Sequence, residues 1–197
     1  KDIRRPHFTR TDWNKLVRHS RNWINSTGHP SVTRDRTLLW NYTLILANTG
    51  IRVGEARTLC WKDIRIEPNN RELDAVVVFS VSGKTGGRKV VARNAEVLEY
   101  LQRIKELYAE PTPDDFVFAH RDGRPIGSFK KSFSALLDHA GVTFDNEGFR
   151  RTIYSLRHTY ATFRLTEGVT VHTLARNMGT SVAMIERFYG QTRTPDQ

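Results

Sequence analysis

Four side chains in this sequence are of the types needed to attack a phosphodiester with a phenol: Arg52, Lys84, Arg157 and Tyr189. Arg52 stands in Thr49-Gly50-Ile51-Arg52-Val53-Gly54-Glu55, and Arg157 in Tyr154-Ser155-Leu156-Arg157-His158-Thr159. Lys84 occupies the glycine-rich stretch Ser82-Gly83-Lys84-Thr85-Gly86-Gly87. Tyr189 follows Met178-Gly179-Thr180-Ser181 and a short apolar run. In-line cleavage of a phosphodiester makes three demands. Charge on the non-bridging oxygens must be neutralised, the nucleophile must lose a proton, and the leaving oxygen must gain one. Arginine suits the first, because its planar fork binds two phosphate oxygens and keeps its charge, so a pair of them could hold the phosphate without a metal. A lysine freed by flanking glycines from helix and sheet packing could protonate a departing 5′ oxygen. A phenol, with a pKa near ~10, needs a base and an electropositive pocket to ionise near neutrality.

Taken singly, each residue also has an ordinary reading. Either arginine could be a surface ion-pair partner, Lys84 a solvated hairpin lysine, and Tyr189 half-buried packing beside Phe188. Glu55, one helical turn from Arg52, could fix its guanidinium under both readings. Gly83-Lys84-Thr85 spells the last three letters of a phosphate-binding P-loop. That motif needs glycine where Val78 stands and a helix where this chain continues as a strand, so it is rejected. His7, His19, His29, His120, His139 and His172 show no metal-ligand spacing, and neither a metal nor a nucleotide cofactor is expected.

The elements that must position these groups read as a mainly α fold with a small three-stranded antiparallel β-sheet, a single catalytic domain over residues 1–197. Thr9 and Asp12 are spaced as a capping box before a helix carrying Trp13, Leu16, Val17, Trp23 and Ile24, which Gly28-His29-Pro30 breaks. Leu38, Leu39, Tyr42, Ile45 and Leu46 mark a second helix ended by Gly50, and a short third runs from near Arg52 to about Leu59. Runs rich in β-branched residues at 63–67, 73–81 and 88–93, separated by turn residues, predict a meander. Helices return at 95–107, 128–140, 154–167, 171–178 and 181–189, with a long loop over 141–151. The four tryptophans, Trp13, Trp23, Trp40 and Trp61, fall on apolar faces and read as core.

Charge narrows the partner. The chain has 31 Lys and Arg against 21 Asp and Glu, a net charge of +10, spread along its length. That excess suits a polyanion. The single cysteine, Cys60, excludes an internal disulfide and reads as a buried, inert thiol. No apolar run approaches the ~20 residues of a membrane span and no signal peptide is visible, so a cytoplasmic, nucleoid-associated protein is expected.

Thr-Gly-Ile-Arg-x-Gly-Glu at 49–55, Leu-Arg-His-Thr-x-Ala-Thr at 156–162 and the late Met-Gly-x-Ser…Tyr block occur in order, with a lysine hairpin between the first two. Together they make nearly the whole chain resemble the catalytic domain of the tyrosine recombinases, the phage integrase family. The resemblance implies that Tyr189 forms a transient 3′-phosphotyrosyl link to double-stranded DNA, that Arg52 and Arg157 grip the phosphate, and that Lys84 acts as general acid. It implies a homotetramer on DNA from a chain monomeric in isolation. It also implies a smaller N-terminal DNA-binding domain, missing from a sequence that starts at Lys1.

Two positions depart from the family pattern. Tyr154 and Thr180 stand where histidines are usual. A phenol or hydroxyl can bond a phosphate oxygen but is a poor base at neutral pH, so the cleavage rate is expected to keep rising above neutrality. Thr180 also reads as the N-cap of the last helix. His158 points about 100° away from Arg157 on a helix and reads as a buried or supporting hydrogen-bonding residue. Arg88, Lys89, Arg150 and Arg151, and further off Arg34 and Arg36, are candidate phosphate-backbone contacts. Two other functions stay open. One is a non-catalytic DNA-binding module on the same fold; the other is a type IB topoisomerase with the same chemistry.

Overall fold

In the computed structural model, which describes residues 6–68, 75–83, 86–93 and 95–189, Thr9 caps the first helix by accepting from the Asp12 amide at 3.1 Å. This helix, α1 (Arg10–Asn25), buries Leu16, Ser20 and Trp23. Pro30 opens α2 (Pro30–Thr49) at a first-turn position where its missing N–H costs nothing. From Leu38 to Thr49 every residue of α2 is buried, so polar side chains on it must find partners within the helix. Thr43 donates to the Leu39 carbonyl at 2.9 Å, Asn48 to Leu44 at 2.9 Å and Thr49 to Ile45 at 2.7 Å.

Gly50 ends α2 with φ 64°. Only glycine fits there on two counts: the left-handed backbone, and the Tyr160 ring, which a Cβ would meet at 2.3 Å. The chain then turns into the short α3 (Val53–Arg57). The meander follows as β1 (Ile64–Pro68), β2 (Ala75–Gly83) and β3 (Gly86–Val91), antiparallel in the order β1-β2-β3. Phe79 pairs with Ile64 on one side and Val90 on the other. The remaining helices are α4 (Val97–Lys105), α5 (Lys130–Ala140), α6 (Ile153–Thr166), α7 (Val171–Met178) and α8 (Val182–Tyr189). No described helix is long and apolar enough to cross a membrane.

The apolar residues form two clusters. The large one joins α1, α2, the sheet, α4 and α5 with the start of α6, through Ile153 and Leu156. The small one contains Tyr160, Ala161 and Leu165 of α6, with Leu174, Met178, Ile185 and Tyr189 from α7 and α8. Arg157 and His158 therefore lie on α6 where one cluster gives way to the other.

Several expected phosphate contacts face inward instead. Arg151 is 3% exposed. Its guanidinium donates to the carbonyls of His7, Val142 and Phe144 and to the Asp12 carboxylate, with its plane over Phe8. It ties the 141–151 loop to the start of α1 and cannot reach a DNA backbone. Arg34 is also buried and donates to Asp35 and the Ala119 carbonyl. Arg36 lies over Trp23 and donates to its carbonyl and to the Ser26 hydroxyl, closing the end of α1. Cys60 is half-buried rather than buried, and desolvation followed by the Asp63 charge push its thiol pKa up. Trp23 and Trp40 lie in the core, whereas Trp13 and Trp61 are partly buried against it.

Candidate active site

Glu55 is the residue around which the site is built. As the third residue of α3 it accepts from the Arg52 amide at 2.7 Å, satisfying the free end of its own helix. The same carboxylate pairs with Arg52 Nη1 at 2.8 Å and with both terminal nitrogens of Arg88, Nη2 at 2.9 Å. Burial pushes its pKa up, but the hydrogen bonds from Arg88 and Arg52 outweigh this and hold the carboxyl below the usual range. Arg88, read from the sequence as a DNA-backbone contact, is thus turned inward from β3. Its Nε donates to the Asn177 carbonyl at 3.2 Å and its side chain is 14% exposed.

Arg157 approaches from α6. Its Nη1 donates to the Gly50 carbonyl and its Nη2 to the Met178 carbonyl at 2.7 Å. Desolvation, then the charge of Arg52, pull its pKa down to about 10. It stays protonated at neutral pH, but in a setting where positive charge is costly. Arg52 completes the group by donating to the Gly179 carbonyl. Two guanidiniums, those of Arg52 and Arg88, pair with one carboxylate, and a third, Arg157, lies within reach of their charge. The group has more positive than negative charge, and an oxyanion would complete it.

The Met178-Gly179-Thr180 turn is shaped for this. Gly179 has φ 61°, and a Cβ there would stand 2.6 Å from Arg88 Nε. Both the backbone and the packed arginine exclude a side chain. Thr180 donates its amide to the Ala175 carbonyl at 3.0 Å, so it closes α7. The N-cap of α8 is Ser181, whose hydroxyl accepts from the Met184 amide at 3.2 Å; the sequence reading placed the cap one residue early. Tyr154 sits in the first turn of α6, 45% exposed.

Tyr189 ends α8 and is 8% exposed. Its hydroxyl is hydrogen-bonded to Nδ1 of His158. The expectation of a buried, hydrogen-bonding His158 holds, since the residue is 3% exposed. What sequence reasoning missed is that its partner is the candidate nucleophile. It also missed Arg88 as a member of the arginine cluster. The available signal was position: His158 follows Leu156 and precedes Tyr160 and Ala161 on a helix whose apolar face must meet the last helices.

Lys84 lies outside the described residues. On either side of it, Gly83 and Gly86 are paired at the end of β2 and β3, and a Cβ on Gly83 would stand 3.3 Å from Glu55 Oε1. Lys89 and Arg150 are exposed, the latter donating to the Ser134 hydroxyl at 2.6 Å.

Residues 7–194 match the model of the phage integrase family. The chain belongs to that family. Prophage integrase IntR of Escherichia coli strain K12 is 25% identical over 181 residues, covering 77% of this chain and 42% of that protein. Among solved structures, XerH site-specific recombinase bound to difH substrate superposes with a TM-score of 0.69 at 20% identity, over 98% of this chain and 52% of that one. A lambda integrase (75–356) dimer bound to a COC′ core site gives 0.65 at 18% identity, over 98% and 61% respectively. At these identities the likeness to the solved structures is one of fold. The chain spans about half the length of these phage integrase relatives.

Proposed function

We propose that this chain cleaves and rejoins DNA strands in site-specific recombination, as in integrating or excising a phage or other mobile element. The observation that carries the reading is the arginine cluster on Glu55, set at the seam that also brings in Tyr189. Arg52 and Arg157 bind the non-bridging oxygens of the scissile phosphate, and Arg88 adds charge and fixes Glu55. Tyr189 attacks phosphorus and forms a 3′-phosphotyrosyl ester, while Lys84 protonates the leaving 5′ oxygen. The ester retains the energy of the broken bond, so rejoining needs no nucleotide. Tyr154 and Thr180 offer hydroxyl donors to the phosphate. Lys89 and Arg150 supply exposed charge for the flanking backbone.

The test is incubation with a nicked suicide DNA, in which the cleaved end diffuses away and the covalent adduct accumulates. A denaturation-resistant protein–DNA band at Tyr189 is expected. Salt-sensitive binding without any adduct would favour a DNA-binding module without cleavage chemistry. Relaxation of supercoiled plasmid without site preference would favour a topoisomerase. A nearly flat response of binding to salt would count against DNA as the partner, because several Lys and Arg contacts release counterions on binding.

A further inference from the structure

We propose that His158 is the proton acceptor for Tyr189, a catalytic role that rests on the phosphotyrosyl reading above. The geometry is direct: Nδ1 of the imidazole is hydrogen-bonded to the hydroxyl that would attack phosphorus. Both residues are almost fully buried, which limits exchange of that proton with bulk water. The imidazole packs edge-on against Tyr154, with ring centroids 4.8 Å apart and planes at 75°. It meets the Tyr189 ring at 5.7 Å and 39°. Among the described residues, the titratable groups that face it include Tyr154 from its own helix and Tyr189 from α8, with Arg157 the adjacent residue.

Chemistry favours His158 over the other groups near the site. A neutral imidazole nitrogen accepts a proton near neutral pH, whereas the hydroxyls of Tyr154 and Thr180 do so poorly. Consecutive positions on α6 point about 100° apart. One helix therefore presents a phosphate-binding cation and a proton acceptor on adjoining faces, without the two competing for the same oxygen.

The step balances. As the bond between Tyr189 Oη and phosphorus forms, the phenolic proton passes to His158 Nδ1. The bond from phosphorus to the 5′ oxygen breaks, and its electron pair leaves with that oxygen, which takes a proton from Lys84. In rejoining, the 5′ hydroxyl returns its proton to Lys84 as it attacks, and the imidazolium protonates the departing Tyr189 oxygen.

The experiment is single-turnover adduct formation on nicked suicide DNA by the wild type and His158→Asn, from about pH 5.5 to about pH 9. Asparagine keeps a polar atom near the Nδ1 position but has no basicity. The variant should bind DNA as the wild type does and lose ~10²–10⁴-fold in rate near pH 7, with the gap closing as hydroxide becomes abundant. A substrate with sulfur as the bridging 5′ atom needs no protonation of its leaving group, so the deficit should persist on it. Rescue by sulfur would place His158 at the leaving group and overturn the assignment, as would an undiminished rate at pH 7. Should the variant lose DNA binding through misfolding, the wild-type profile decides. It should level off by about pH 8, in place of the continuing rise expected if Tyr154 and Thr180 were the only groups at hand; a tenfold rise per pH unit through pH 9 would overturn the role. An adduct that survives Tyr189→Phe would instead sink the underlying reading.

Discussion

The two apolar clusters differ in depth and in what they carry. The large cluster surrounds α2, a helix buried along its entire second half, and its flanks supply Arg52 and Arg88. The small cluster consists of the end of α6 with two eight-residue helices, and it carries Tyr189. What joins them at the site is largely polar. Arg157 donates to Gly50 on one side and Met178 on the other, Arg52 to Gly179, and Arg88 to Asn177. Asn177 also exchanges hydrogen bonds with the backbone of Val91, at 2.8 and 3.2 Å, and donates to the Tyr160 hydroxyl at 2.7 Å. Of the arginines proposed to bind phosphate, Arg52 is thus mounted on the deep part of the molecule and Arg157 at the seam. The proposed nucleophile Tyr189 is on the shallow part, and the arginines themselves fasten the two parts. Opening free energy follows buried apolar contact, so amides of α7 and α8 should exchange faster than those of α2.

The sharpest way to separate the two regions is Tyr189→Phe. It should abolish the covalent adduct while leaving DNA affinity nearly intact, because the binding charge lies elsewhere. An adduct of undiminished yield, detected on a denaturing gel, would move the nucleophile to another tyrosine, with Tyr154 the first to examine.

Arg157→Lys tests the fastening and the proposed phosphate grip together. Lysine keeps the charge but lacks the planar fork that reaches two carbonyls at once. Cleavage should fall ~10²–10³-fold in single-turnover assays. Hydrogen exchange should rise in α7 and α8 more than in α2, and a uniform rise across both regions would break the comparison.

Gly179→Ala strains the turn from the small-cluster side. A Cβ in the left-handed region costs ~1–2 kcal/mol, and here it also displaces Arg88. A lower melting temperature with reduced adduct formation is expected. Unchanged values of both would show that the turn adapts freely.

The smallest effect concerns Glu167, at the C-terminus of α6. It pairs with Arg10 at 2.7 Å, with Arg164 at 3.0 Å and with Arg93. Burial raises its pKa, but the hydrogen bonds from Arg93 and Arg10 outweigh this and bring it to about 2. Because the folded-state value is depressed, the network stabilises the fold above the ordinary value of 4.5 and that contribution is lost as the pH falls toward 2. With partly exposed partners, Glu167→Gln should cost about 1 kcal/mol at neutral pH and nothing in strong acid. Thermal melts of both proteins across that range provide the check.

Much of this was legible from residue order. Thr9 before Asp12, Pro30 at a helix start, Gly50 at a helix end and the β-branched runs around the glycine turn all act on neighbours within a few positions, so they can be read along the chain. They located the helices and the three-stranded meander to within a few residues, and Glu55 was recognisable as a partner for Arg52 because one turn of helix separates them. Partners distant in sequence were not legible. An arginine in isolation reads the same whether it will meet solvent, DNA or a buried carbonyl. Only the packing of the 141–151 loop against the start of α1 buried Arg151 on Asp12, and only the packing of α6 against α2 and α7 stretched Arg157 between Gly50 and Met178. Arg88 turned inward because β3 lies beside α7 and Glu55 waits beneath. His158 met Tyr189 because α8 folds back onto α6, a contact across 31 positions that no local periodicity encodes.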